Sequence, residues 1–437
     1  MNNARGTTLY LLCSWLLLCT GCSTQQRGLF GKKTPHEQYS SRITSAGLAG
    51  SELGQQWFMA ASKALNTPVN ITLPYQETGF FAAEKPEAAG FSFTARRGEQ
   101  IQIEITARPA DSFRVFADLW KPTAANNTPE LLAAADTTQW TIQQDAETDA
   151  RFILRLQPEL LRSGEYQLRI TTGPSLAFPV PGTHARIGSF WGDNRDGGNR
   201  SHEGIDIFGK FRTPVVAVAK GTITSTRQNN LGGKVVFLRP DKKPYNIYYA
   251  HLDEQLVTEG QQVNMGDTLG LMGNTGNARK TPTHLHFGIY TSGGAVDPLP
   301  FVKPGKATPA AVTAATDLLQ QNARCSAPAV IYSSPARNST VVEKLPANSA
   351  VRILAATASW YKIILPDNRE GFAESRLFTA KPYSTRTLTT PVRLLQTPDS
   401  TAAAKSFIAK GTTVNLIGSY QGWQLIAHEE RLGWIRL

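Results

Sequence analysis

Four of the seven histidines in this sequence fall between positions 202 and 286, in three short segments. These are Ser201-His202-Glu203-Gly204-Ile205-Asp206, Tyr248-Tyr249-Ala250-His251-Leu252 and Thr283-His284-Leu285-His286-Phe287-Gly288-Ile289. In the last, Leu285, Phe287 and Ile289 alternate. On a strand they face a core, and His284 and His286 share the opposite face, roughly 7 Å apart. Two imidazoles so placed can reach one metal ion, or one can bind while the other serves as acid or base. In the first segment, Ile205 and Ile207 flank Asp206 and point away from it, and Gly204 permits a bend or a close backbone approach. Two imidazoles and a carboxylate make a three-ligand zinc site. Structural zinc sites use four protein ligands, typically with cysteine, whereas catalytic ones use three and leave a position for water. The cysteines are Cys13, Cys19, Cys22 and Cys325. None is near these segments in sequence, so the inventory favours catalysis and excludes a disulfide scaffold. Glu203 is a rival base, because His-Glu opens the His-Glu-x-x-His metalloprotease motif, but no histidine lies four residues after His202.

The surrounding residues suggest what positions these groups. Glycines at 260, 266, 270, 273 and 276 read as tight β-turns. No Gly-Lys-Ser/Thr triplet follows them, as a P-loop requires, while glycine-lined backbone edges suit an extended peptide. His184 and His428 stand alone and carry no chemistry. Lys242-Lys243 reads as a solvated turn.

The combination His202-x-Gly-x-Asp206, Tyr249-Ala-His251-Leu and His284-Leu-His286-Phe resembles the lysostaphin-type (LytM-like) zinc endopeptidases. So do Phe190-Trp191-Gly192, Arg200-x-His202 and the glycine-rich run from Gly260 to Gly276. The resemblance covers about 180–303. It implies that His202, Asp206 and His286 ligate one Zn2+, and that His251 and His284 flank the reacting water. Zinc lowers the pKa of water from about 15.7 to about 7, so a histidine near neutrality suffices as base. His284 is assigned that role and His251 a hydrogen bond to the water or the tetrahedral intermediate, an assignment that can be exchanged.

The remaining chain reads as several β-rich units. Its 437 residues exceed one domain, and short alternating runs outnumber helical periods. Met1–Arg5 and the ten-residue apolar run Leu9–Leu18 form an export signal over 1–22, too short to span a membrane. Cys22, in Leu18-Cys19-Thr20-Gly21-Cys22, resembles a bacterial lipobox cysteine, which implies acylation and a membrane anchor. Residues 23–66 read as a stalk with a short helix near 51–65. Residues 67–174 carry about seven alternating strands, as in a β-sandwich, and Gly164-Glu-Tyr166-Gln-Leu168 resembles pre-peptidase C-terminal-like modules. Residues 304–323 form a linker. Then a repeat appears at an offset of 62–63 residues: Tyr332-Ser-Ser-Pro335 with Leu395-Gln-Thr-Pro398, Trp360-Tyr-Lys-Ile363 with Trp423-Gln-Leu-Ile426, and Gly371-Phe372 with Gly433-Trp434. These units, 324–380 and 386–437, look like bacterial SH3-like modules, small barrels that commonly bind cell-wall peptide. Trp360 and Trp423 are either ligand platforms or core anchors.

The expected fold is therefore mainly β and multidomain: a sandwich, an antiparallel-β peptidase domain and two small SH3-like barrels. The net charge of +11 is uneven, with 15 basic and 8 acidic groups in 304–437, which favours an anionic partner. Export disfavours nucleic acid and leaves the cell wall. The expected function is an envelope-anchored zinc endopeptidase cutting peptide cross-links of peptidoglycan. The alternative is a catalytically silent or autoinhibited regulator of other cell-wall enzymes.

Overall fold

A computed structural model describes residues 33–123, 129–136, 139–182, 185–305, 307–319, 321–429 and 431–437. The export and lipidation readings at 1–22, with Cys22, lie outside the described residues, as does His184.

Part of the segment read as a stalk is helical. Helix α1 covers Pro35–Ser45 and starts in a capping box: Thr34 accepts from the Glu37 N–H, and the Glu37 carboxylate accepts from the Thr34 N–H. Helix α2 covers Glu52–Asn66 and is capped by Ser51, which accepts from the Gly54 N–H. Both dock on the sandwich. Trp57 is fully buried, stacks on His36 at 4.7 Å and donates its indole N–H to the Pro158 carbonyl at 3.0 Å. Among the described residues no helix is long and apolar enough to cross a membrane.

The sandwich consists of a five-stranded sheet facing the strands Tyr75–Phe81, Gly164–Pro174, Glu99–Arg108 and Thr141–Asp145. The alternation of Ile101, Ile103 and Ile105 points into the core between them. The second sheet does not end there. Tyr75–Phe81 also pairs antiparallel with Ala350–Thr357, Thr78 opposite Ala356 and Gly79 opposite Ala355. The sandwich and the first C-terminal unit thus share one continuous sheet. Thr357 fastens the seam by donating to the Gln76 carbonyl at 2.7 Å, and Lys63 of α2 pairs with Glu370 at 3.1 Å. The segment read as a linker is also tied down: Ala314 and Leu319 are buried in the core of the first unit, and Tyr361 donates to the Ala315 carbonyl.

The internal repeat reappears as topology. In the first unit the strands run, side by side, Val341–Leu345, Ala329–Tyr332, Glu370–Glu374, Trp360–Ile364, Ala350–Thr357, Asn322–Cys325. In the second the path is Ala404–Ile408, Val392–Leu395, Arg431–Arg436, Trp423–His428, Thr413–Tyr420, Ser384–Thr387. The order is the same.

Between sandwich and repeats, ten strands between Arg186 and Val296 form one antiparallel sheet. Three adjacent strands matter most: Ile205–Phe208, His284–Thr291 and Tyr245–Gln255. Their register aligns Ile205 with Phe287 and Tyr249, all fully buried on the core face. One step along, Asp206, His286 and Ala250 align on the opposite face. Period-two alternation has put the apolar residues on one side and the chemistry on the other.

Candidate active site

The rung Asp206–His286 sets two of the candidate ligands side by side, and His202 joins them from the loop just before Ile205–Phe208. Oδ1 of Asp206 lies 3.1 Å from both His202 Nε2 and His286 Nδ1, and those two nitrogens are 3.0 Å apart. Gly204 makes this possible. A Cβ there would sit 2.6 Å from the Phe287 carbonyl oxygen and 2.7 Å from His286 Cε1, so any other residue would push into the ring. The three donor atoms form a cluster able to hold a metal ion, with all of them within 4.8 Å of one another. Two imidazole nitrogens and one carboxylate oxygen fit the donor set of a zinc site with an open position.

His251 and His284 complete the group. His284 lies two residues before His286 on the same strand, and its Nε2 is 4.0 Å from Asp206 Oδ1. His251 reaches the site through a distortion. Against Gly233–Pro240 the strand Tyr245–Gln255 slips register between Tyr249 and Leu252, and His251, inside that slip, adopts φ +63°, a conformation uncommon outside glycine. Its ring then stands 5.0 Å from His284 and 5.9 Å from His286, centroid to centroid. Alternation alone does not reveal this bulge.

Three of the rings share a device. His202 Nδ1 lies 2.8 Å from the Phe190 carbonyl, His251 Nδ1 2.9 Å from that of Thr275, and His284 Nδ1 2.8 Å from that of Pro282. A carbonyl can only accept, so each Nδ1 carries the proton and each Nε2 presents a lone pair. The Thr275 carbonyl is held in place at Gly276, whose φ is +71° and where a Cβ would sit 2.3 Å from the Gly233 amide nitrogen, so no side chain fits.

Electrostatics follow from burial. Desolvation pushes His251 down to about 4, assisted by His284 and His286. Desolvation also lowers His286, against the pull of Asp206. Burial alone would raise the Asp206 carboxyl, but the adjoining imidazoles of His202 and His286 hold it well below the usual carboxylate range. Arg195, which no motif marks, donates to Asp206 Oδ2 at 2.6 Å.

The five residues line a groove of about 650 Å3 whose walls come entirely from residues between Ser189 and Tyr290. Tyr248, Tyr290 and Phe237 form an aromatic side, and Glu203 is on the rim, 3.5 Å from the Tyr290 hydroxyl. Trp360 and Trp423 are not part of it. Each is half-buried, Trp360 edge-on to Tyr332 at 5.8 Å and Trp423 packed beside Leu425 and Trp434.

Residues 200–298 match the family described as Peptidase family M23, and residues 328–379 match the Bacterial SH3 domain. The L-Ala--D-Glu endopeptidase of Bacillus subtilis is 36% identical over 140 residues, 29% of this chain and 43% of that protein. The peptidoglycan DD-endopeptidase ShyC of Vibrio cholerae is 33% identical over 94 residues, 22% of this chain and 21% of that protein. The crystallised catalytic domain of lysostaphin from Staphylococcus simulans is 31% identical, covering 27% of this chain and 92% of that one, with a TM-score of 0.25. The chain thus spans less than half the length of either curated relative. It carries an M23 peptidase domain of the lysostaphin/LytM type and a bacterial SH3 domain.

Proposed function

We propose that this chain is an envelope-anchored zinc endopeptidase that hydrolyses peptide cross-links of peptidoglycan. The observation that carries the reading is the convergence of four histidines and one carboxylate, with three of the rings turned by backbone carbonyls so that Nε2 faces the groove. His202, Asp206 and His286 would hold the metal. When bound there, zinc supplies Lewis acidity and brings the pKa of water down to about 7.

The chain's own residues do the rest. An extended peptide lies in the groove against Tyr248 and Tyr290. Nε2 of His284, nearer to Asp206, accepts the proton of the attacking water. Nε2 of His251, kept neutral by burial, accepts the water's other hydrogen bond and so aims it. The His284 imidazolium then returns its proton to the leaving amine. Such a positioned acid–base group contributes about 10²–10⁴-fold. Glu203 is not needed as base, since the two histidine acceptors already occupy the site.

Localisation and partners rest on more distant features. Cys22 is proposed as the lipidated residue that ties the chain to a membrane, facing the periplasm or wall. The half-buried Trp360 and Trp423 are proposed as contacts for wall peptide. Tethering and wall binding would raise local concentration without new contacts at the groove. The regulator reading has less support: the ligand set is complete, and the groove's walls come from 189–290 rather than from the sandwich.

Metal analysis of the purified full-length chain, paired with hydrolysis of a soluble cross-linked muropeptide, tests the reading. One zinc per chain is expected in wild type and in His284→Ala, with hydrolysis only in wild type. His202→Ala and His286→Ala should lose both. Hydrolysis that survives His286→Ala would rule the reading out.

A further inference from the structure

Asp206 offers two oxygens, and the fold treats them differently. Oδ1 faces His202 and His286, while Oδ2 accepts from Arg195 Nη2 at 2.6 Å. Arg195 is eleven residues away in sequence and is brought back by a short hairpin in which it pairs with Arg200. The same Nη2 also donates to Ser189 Oγ at 2.7 Å, so the guanidinium is anchored on both sides. Ser189 in turn donates to Asp193 Oδ2 at 2.7 Å, and that carboxylate accepts from the Phe190 N–H at 2.8 Å. The Phe190 carbonyl then receives the Nδ1 proton of His202. One loop, 189–195, therefore grips two of the three candidate ligands from behind. The pair is sheltered: the Asp206 side chain is 10% exposed and that of Arg195 29%.

We propose that Arg195 is a positioning residue for the His202–Asp206–His286 centre. By occupying Oδ2 it blocks bidentate binding, presents Oδ1 alone, and stops rotation of the carboxylate about its Cβ–Cγ bond. The inference rests on the zinc reading above. Two effects oppose each other. A guanidinium close to a divalent cation repels it, and its hydrogen bond draws charge from the carboxylate. Against that, a ligand held in one orientation loses less freedom on binding. Loss of the groups that orient metal ligands typically costs 10–100-fold in affinity, so orientation is expected to win.

The sign of the change is the test. Zinc affinity of the full-length chain is measured by competition with a chromophoric chelator for wild type, Arg195→Gln, Arg195→Lys and Ser189→Ala. The cobalt(II)-substituted forms give visible absorption. Arg195→Gln should weaken zinc about 10–100-fold and shift the cobalt bands as Asp206 changes its mode of binding. Arg195→Lys should recover part of the loss, and Ser189→Ala, which leaves the charge in place, should show a smaller loss in the same direction. Zinc binding in Arg195→Gln as tight as wild type, or tighter, overturns the proposal, because the arginine would then be only a counter-ion to Asp206. A wild-type chain that takes up no zinc sinks the zinc reading and this proposal with it. A wild type that holds zinc beside an unaffected Arg195→Gln sinks this proposal alone.

Discussion

At the scale of single residues, the site depends on which nitrogen of each ring is free. His251 and His284 hold no place in the candidate ligand set, so replacing either by alanine should leave zinc bound and lower kcat by about 10²–10⁴-fold. Zinc content measured beside turnover separates that outcome from loss of the metal. Gly204→Ala should behave in the opposite way. Its Cβ would meet the Phe287 carbonyl at 2.6 Å and the His286 ring at 2.7 Å, so zinc occupancy should fall together with activity. Full occupancy in Gly204→Ala would contradict the packing argument. Much of this was legible in the sequence. The alternation around His284 and His286 already set both rings on the face opposite Leu285 and Phe287. The His251 bulge was not legible, because a positive φ at a histidine leaves no local sequence mark. Arg195 was not legible either, because its contact with Asp206 is made by a hairpin that folds back.

At the scale of elements, buried polar groups tie neighbouring pieces together. Glu77 is fully buried and accepts from the hydroxyls of Tyr75 and Tyr166, joining the strands Tyr75–Phe81 and Gly164–Pro174. Tyr166→Phe leaves that carboxylate short of a donor and should cost about 1–3 kcal/mol, read as a lower urea midpoint. An unchanged midpoint would show that Glu77 is satisfied without it. Helix α1 brings a second such group. His36 is buried against Trp57, within 2.7 Å of Gln157 Oε1, and desolvation lowers it to about 4. The unfolded chain takes up this proton near pH 6.5 while the native one resists to about 4. Stability should therefore fall as pH drops through that window, by roughly 3 kcal/mol at 1.36 kcal/mol per unit. His36→Gln should flatten that part of the slope in urea titrations at pH 7 and pH 4.5. α1 itself was missed from sequence because its apolar positions are few, although Thr34-Pro35-His36-Glu37 carries the pattern of a capping box.

At the scale of the whole molecule, the sheet shared by the sandwich and the first C-terminal unit makes the two a single structural body. Phe80 packs against the core of that unit, and Thr78 and Gly79 lend it their sheet edge. Ending the chain at 305 would bare that edge and its apolar face, so aggregation is expected. Ending it at 380 removes only the second unit, which meets the first where Ser419 donates to Asn348, where Ala350 packs among Ile417, Leu425 and Trp434, and where Arg324 lies over Tyr383, without sharing its sheet as the sandwich does, and should leave a soluble chain active on soluble peptide. Size-exclusion profiles of the two truncations decide this, and a monodisperse chain ending at 305 would refute it. The repeat was visible from Trp360 and Trp423, whereas the pairing of one repeat with a strand some 275 residues earlier was not, because edge-to-edge register has no local signature. The proposed function requires this assembly to cut the wall. The most direct measurement incubates the zinc-loaded full-length chain, beside its His284→Ala variant, with purified sacculi and reads the muropeptides by mass spectrometry. Wild type alone should convert cross-linked dimers to monomers. Sacculi left intact by zinc-loaded wild type would contradict the proposed function.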